Sequence, residues 1–146
     1  MREIKFRGKG VVDGDWHYGS YLYTDNNVNN PYLTTPPVGK HQIFEYCAGD
    51  FLMGGWEGIE VTPETIGQFT GLYDKNGKEI YEGDILAFDN SYVDFNDVIE
   101  VRFVRGVFAF LWNGNLEDEC PINAPTREWA NVIGNIHDNP ELVKNR

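Results

Sequence analysis

Turn-forming residues interrupt this chain about every ten positions, and Val, Ile, Phe, Tyr and Trp fill the gaps between them. That rhythm leaves room for strands but not for helices of roughly ten residues or more, so it predicts an all-β fold rather than βαβ units. Branched and aromatic side chains fit a pleated, half-buried surface, which strengthens the reading. The expected architecture is a small β-barrel of SH3-like type, with a two-lobed arrangement as its variant. Residues 1–146 form a single domain in this reading.

The first strand is expected over Arg2–Gly8, with Ile4 and Phe6 on one face and Lys5, Arg7 and Lys9 on the other. Asp13-Gly14 turns the chain into Trp16–Tyr23, where Trp16, Tyr18 and Leu22 alternate with His17, Tyr21 and Tyr23. Thr24–Lys40 has turn chemistry without periodicity and reads as a long surface loop. Short strands are expected at Ile43–Tyr46, Phe51–Met53 and Trp56–Val61. Thr62-Pro63-Glu64 combines a cap, a proline at the first helical position and an acid at the positive end, predicting about one helical turn. Phe69–Tyr73 and Lys78–Phe88 flank Asp74-Lys75-Asn76-Gly77, a tight hairpin that Gly77 closes by taking a positive φ. Val98–Arg105 alternates cleanly. Val107–Trp112 is apolar at every position, which predicts burial on both faces. A loop through Asn113–Pro125, a last strand over Glu128–His137 and a helical turn at Asn139-Pro140-Glu141-Leu142 complete the chain.

Charge restricts the function classes. A formal net charge of −11 repels a polyphosphate backbone. Lys5, Arg7 and Lys9 oppose that trend locally, as a docking stripe or as a solvated outer face that discourages edge pairing. No apolar run reaches the roughly 18 residues of a membrane helix, and the first residues lack the apolar core of a secretory signal. Cys47 and Cys120 show no C-x-x-C spacing and are expected to be free thiols of a cytoplasmic protein.

The search for chemistry is mostly negative. His17, His41 and His137 lack metal-ligand spacing, so no metal and no cofactor is expected. Asp94, Asn96, Asp97 and Glu100 miss the EF-hand pattern. Glu117-Asp118-Glu119 reads as a solvated loop. Neither Ser20 nor Ser91 sits in a nucleophile motif. Glu79, Glu82 and Asp84 could form an acidic group, since Glu82 and Asp84 would share a face if both lay on one strand. The competing reading makes Asp84 a corner residue whose carboxylate accepts backbone N–H bonds. Aromatics are the larger resource: 4 Trp, 8 Tyr and 9 Phe are more rings than a core of this size hides readily. Trp16, Tyr18, Tyr21 and Tyr23, with Lys5 and Arg7 beside them, are the candidate interaction surface.

Three stretches carry a family resemblance. They are Arg2–Gly8 with Gly14, Trp16, Tyr18 and Gly19; the block Val61–Ile85, which includes Gly71, Gly77, Glu82, Gly83 and Asp84; and Val132–His137 with Asn139–Leu142. In order and spacing they resemble the YopX family, small proteins encoded by phages and prophages of Gram-positive bacteria. Thr24–Asp50 and Asp89–Asp97 depart from the family pattern. The resemblance implies a β-dominated fold, a phage or prophage origin and residence in the host cytoplasm. It implies no activity and supplies no catalytic residue. Glu82-Gly83-Asp84-Ile85 also resembles the turn-into-strand entry of SH3-like barrels.

The expectation is therefore a non-enzymatic β-module that self-associates as a homo-oligomer and binds a host or phage protein. Edge pairing between subunits would explain the doubly apolar Val107–Trp112 strand. An enzyme for a small ligand or nucleotide, using the carboxylates near Glu82 and Asp84, is the alternative. Nucleic-acid binding through the N-terminal basic stripe is a second one, disfavoured by net charge.

Overall fold

The computed structural model describes residues 1–24, 39–49, 54–88, 98–112, 119–121 and 126–144. The chain divides into two compact units, one of Ile4–Gly67 and one made of Gln68–Arg146 together with Met1–Glu3. The fold is all-β with a few short helical turns.

In the first unit, β1 (Phe6–Lys9), β2 (Trp16–Thr24), β3 (Lys40–Cys47) and β4 (Gly55–Glu60) form an antiparallel meander in the order β4-β3-β2-β1. β1 is shorter than the expected Arg2–Gly8, because β2 pairs with it only from Trp16 to Gly19. Beyond that point β2 pairs with β3, from Ser20↔Phe44 to Thr24↔Lys40. Lys40 thus closes against Thr24, while positions 25–38 of the expected loop and the strand expected at Phe51–Met53 lie outside the described residues. Ile43 and Val61 are fully buried. Gly8 lets Val61 approach the sheet, since a Cβ there would stand 3.0 Å from the valine side chain. The turn expected after Thr62 is a 3-10 turn over Pro63–Thr65, and the Thr62 side chain does not cap it. Thr65 ties it down instead: its Oγ1 donates to the Thr62 carbonyl at 2.6 Å and accepts the Lys9 N–H at 2.8 Å.

The second unit begins with a hairpin of β5 (Gly67–Tyr73) and β6 (Glu79–Tyr81). Its turn is organised by Asp74, which is 1% exposed. Asp74 Oδ1 accepts the N–H groups of Asn76 and Lys78 at 2.8 and 2.9 Å, and Oδ2 accepts that of Val132 at 3.1 Å. Burial works against this carboxylate, but the three N–H donors hold its pKa below the usual value of 3.8. Gly77 takes φ 79°, the left-handed region its position requires.

The rest of the unit is a five-stranded antiparallel sheet of β7 (Asp84–Phe88), β8 (Val98–Val104), β9 (Val107–Trp112), β10 (Glu119–Pro121) and β11 (Ala130–Asn135), ordered β10-β9-β8-β7-β11. Leu86, Ile99, Val101 and Phe110 share one face and pack with Ile80 and Ala130 as the core. Ile85, Glu100 and Leu111 share the other face and are also buried. Two helical turns, α1 (Thr126–Trp129) and α2 (Glu141–Lys144), flank β11.

Three expectations are corrected. Among the described residues no barrel closes: the five-stranded sheet ends in β10 and β11, which do not pair. The expected last strand Glu128–His137 is split, because Thr126 donates from Oγ1 to the Tyr73 carbonyl at 2.8 Å and starts a helical turn before β11. The burial of β9 on both faces holds at Ala109–Leu111, while Val107 is exposed, and it is intramolecular. β9 is an interior strand, paired with β8 along its length and with β10 at Ala109–Leu111, so it has no free edge there for a second subunit.

Candidate functional site

Register decides which side chains of the meander meet. Arg7 pairs with Tyr18 and Lys9 with Trp16, so the basic stripe and two of the aromatic candidates occupy one face. Ser20↔Phe44, Leu22↔Gln42 and Tyr46↔Trp56 extend that face across β3 and β4. It carries Trp16, Tyr18, Leu22, Phe44, Tyr46 and Trp56. Four of these are open to solvent: Tyr18 45%, Leu22 45%, Tyr46 62% and Trp56 69% exposed. Tyr46 and Trp56 meet edge to face, with ring centroids 5.7 Å apart. Three aromatic rings and a leucine left exposed on a sheet make an apolar surface of the kind that marks interaction sites.

The basic stripe is not a solvated face. Arg7 is 5% exposed and its guanidinium lies 4.6 Å from the Trp16 ring centroid, with Lys9 Nζ 5.6 Å from the same ring. The cations come down on the indole because cross-strand partners are close neighbours on one face. Lys5 is half-buried just before β1. Lys40 pairs with Glu60 at 3.5 Å near the far end of the same face.

Tyr21 and Tyr23 lie on the opposite face, as alternation requires. The Tyr21 hydroxyl and His41 Nδ1 are 2.7 Å apart, and Tyr21 packs on Phe6 with centroids at 5.5 Å. Tyr23 is 49% exposed and packs on His41. That face also carries His17, Glu45, Cys47 and Glu57. Cys47 is a free thiol that donates to Glu57 Oε2 at 3.3 Å, and that bond to a carboxylate raises its pKa above 9.0.

The acidic alternative is built differently from its expectation. Glu82 and Gly83 form a turn between β6 and β7, with Gly83 at φ 87°, so Glu82 and Asp84 do not share a strand face. Asp84 is 1% exposed and its Oδ2 accepts the Tyr81 N–H at 2.8 Å. Glu79 accepts the Tyr81 hydroxyl at 2.8 Å. Gly71, at φ 83°, falls where the β5–β6 register shifts. Asp94, Asn96 and Asp97 lie outside the described residues, whereas Glu100 is buried on β8 beside Arg102. No group of three or more metal-ligating side chains exists among the described residues. A groove of about 430 Å³ in the second unit is lined by Arg2, Gln68, Thr70, Leu72, Phe103 and Phe108, among others. No helix among the described residues is long and apolar enough to cross a membrane.

Tyr46, Trp56 and Phe44 were missed by reading the sequence strand by strand. The signal was there, in the alternation of Gln42, Phe44 and Tyr46. What was absent was the knowledge that this segment pairs with β2 and β4.

Fold and site together define an all-β protein with an exposed aromatic sheet face and no assembled catalytic constellation in the described residues. The chain belongs to the YopX protein family, whose pattern it matches over residues 5–144. It is similar to the crystal structure of protein EF1440 from Enterococcus faecalis, with 26% identity, TM-score 0.50, and 99% of this chain and 100% of that one covered. It also shares its fold with protein yopX from Bacillus subtilis, with 20% identity, TM-score 0.50, and 100% and 99% covered. No curated protein matches it.

Proposed function

We propose that this chain is a non-enzymatic protein-binding module, encoded by a phage or prophage and acting in the host cytoplasm. It docks through the Tyr18–Leu22–Phe44–Tyr46–Trp56 face on another copy of itself and on a host or phage protein. The observation that carries the reading is the exposure of Tyr46 and Trp56, 62% and 69%, on adjacent strands, with Tyr18 and Leu22 also open on the same face, while Ile43 on the opposite face is buried. Trp and Tyr supply much contact area with little rotamer entropy to lose, and they dominate binding hot spots.

The competing readings fit less well. A carboxylate enzyme would need Asp84 as an acid or base, yet its carboxylate is buried and engaged by the Tyr81 N–H. A single-stranded nucleic acid has one observation in its favour, the presence of Arg7 and Lys9 on the aromatic face. Against it stands a net charge of −11.

Affinity capture with the wild-type chain and a Tyr46→Ser/Trp56→Ser variant, from nuclease-treated host lysate, tests the proposal. A stoichiometric protein retained by the wild type and lost by the folded variant supports it. Equal retention by both places binding elsewhere, and nucleic acid retained with a steep salt dependence replaces this reading with the polynucleotide one.

A further inference from the structure

On the meander face opposite the aromatic one, His17 is held at both ring nitrogens. Its Nε2 lies 2.8 Å from Asp13 Oδ2 and its Nδ1 lies 2.9 Å from Glu45 Oε1. An ionised carboxylate only accepts hydrogen bonds, whereas a neutral imidazole donates from one nitrogen alone. Two carboxylate partners are satisfied together only by an imidazolium, which donates from both. The His17 side chain is 13% exposed, so water does not substitute readily for a lost partner.

The clamp joins parts distant in sequence. Asp13 belongs to the β1–β2 turn, where Oδ1 of the same carboxylate accepts the Asp15 N–H at 3.0 Å. Glu45 is on β3 and faces Glu57 of β4 across the ladder. Cys47 adds its thiol on the same strand, and the β1 partner of His17 is Gly8, which carries no charge. The same face also carries Tyr21, Tyr23 and His41, and the Tyr21 hydroxyl and His41 Nδ1 are 2.7 Å apart, so the groups that bond the His17 ring itself are the two carboxylates. Gly10 belongs to the arrangement too: a Cβ there would stand 2.1 Å from Asp13 Oδ1 and 3.1 Å from His17 Nε2.

We propose that His17, clamped between Asp13 and Glu45, is a proton-dependent staple that fastens the β1–β2 turn to β3 and loosens when the ring loses a proton. The proposal is independent of what the aromatic face binds. On deprotonation one of the two carboxylates faces a bare ring nitrogen, and the acids around it repel one another without the cation between them. Burial alone would lower the pKa of the ring, but the bonds to Glu45 and Asp13 and their charges raise it above 6.5. The sign follows. A raised folded-state value means stabilisation fully present below pH 6.5 and lost as pH climbs through the folded value. Asp13 bounds the window from below. The Asp15 N–H, then His17, lower its pKa from 3.8, so its contribution is lost as pH falls through that lowered value.

The test is a nitrogen-detected NMR titration of His17 in the whole chain, beside urea unfolding from about pH 6 to about pH 9. The expected result is both ring nitrogens protonated at pH 6.5, a midpoint above that value, and a urea midpoint that declines as the ring titrates. Glu45→Gln keeps a hydrogen-bond acceptor but removes a charge, and it should lower the His17 midpoint. His17→Gln should flatten the pH dependence of unfolding. A single neutral tautomer at pH 6.5, or a midpoint unmoved by Glu45→Gln, overturns the proposal, and the NMR readout remains decisive if His17→Gln fails to fold.

Discussion

The four-stranded meander and the five-stranded sheet are built from the same kinds of residue and treat them in opposite ways. In the second unit the middles of adjacent strands are buried on both faces, Ile99 and Val101 on one and Ile85 and Leu111 on the other, all fully covered, while Phe103 and Val107 near the β8–β9 turn are exposed. In the first unit one face keeps Ile43 buried while the other leaves Tyr18, Leu22, Tyr46 and Trp56 exposed. Apolar surface on a strand is thus not by itself a sign of core or of interface. What decides is whether the chain covers it, and aromatic rings with a polar edge tolerate being left uncovered better than aliphatic ones.

Substitutions sharpen that contrast, and the largest effect belongs to the second unit. Leu111→Ala removes a fully buried side chain and should cost about 2–5 kcal/mol in denaturant unfolding. Asp74→Ala strips the acceptor from three backbone N–H groups and should destabilise by about 3 kcal/mol. Asp74→Asn should lose less, since one oxygen remains. The lowered pKa of Asp74 also means that its contribution is complete above pH 3.8 and fades as pH falls through the folded value, which acid unfolding checks. Gly77→Ala should cost about 1–2 kcal/mol, because an added Cβ meets nothing within 4 Å and the strain is that of φ 79° alone. Trp56→Ser should be smallest, within about 0.5 kcal/mol, because the side chain is 69% exposed. A large loss there, by the same unfolding measurement, would erase the distinction between the two units.

Much of this fold was legible locally. The turn at Asp74–Gly77 follows from an acid that folds back on its own backbone and a glycine three residues later, and no distant contact is needed to foresee it. The alternation of Trp16–Tyr23 already separated Trp16 and Tyr18 from Tyr21 and Tyr23. What stayed hidden depends on pairing between segments far apart in sequence. Nothing within Lys5–Lys9 says that Arg7 and Lys9 come down on Trp16, because that follows from the register of β1 on β2. The apolar run Val107–Trp112 predicted burial on both faces, which holds at Ala109–Leu111 but not at Val107, and it did not reveal that β10 would cover the open edge. Glu82 and Asp84 looked like partners on a strand until Gly83 placed a turn between them. The open ends of the sheets are likewise a property of topology, invisible to periodicity.

The central claim is that the aromatic face of the meander is a docking surface. Sedimentation velocity on the wild type and on a Tyr46→Glu/Trp56→Glu variant, over a wide concentration range, tests its self-association arm most directly. The account predicts that the wild type forms a concentration-dependent oligomer and that the variant stays monomeric with an unchanged circular dichroism spectrum. A wild type that stays monomeric, or an oligomer of the same size and affinity in both proteins, would contradict it.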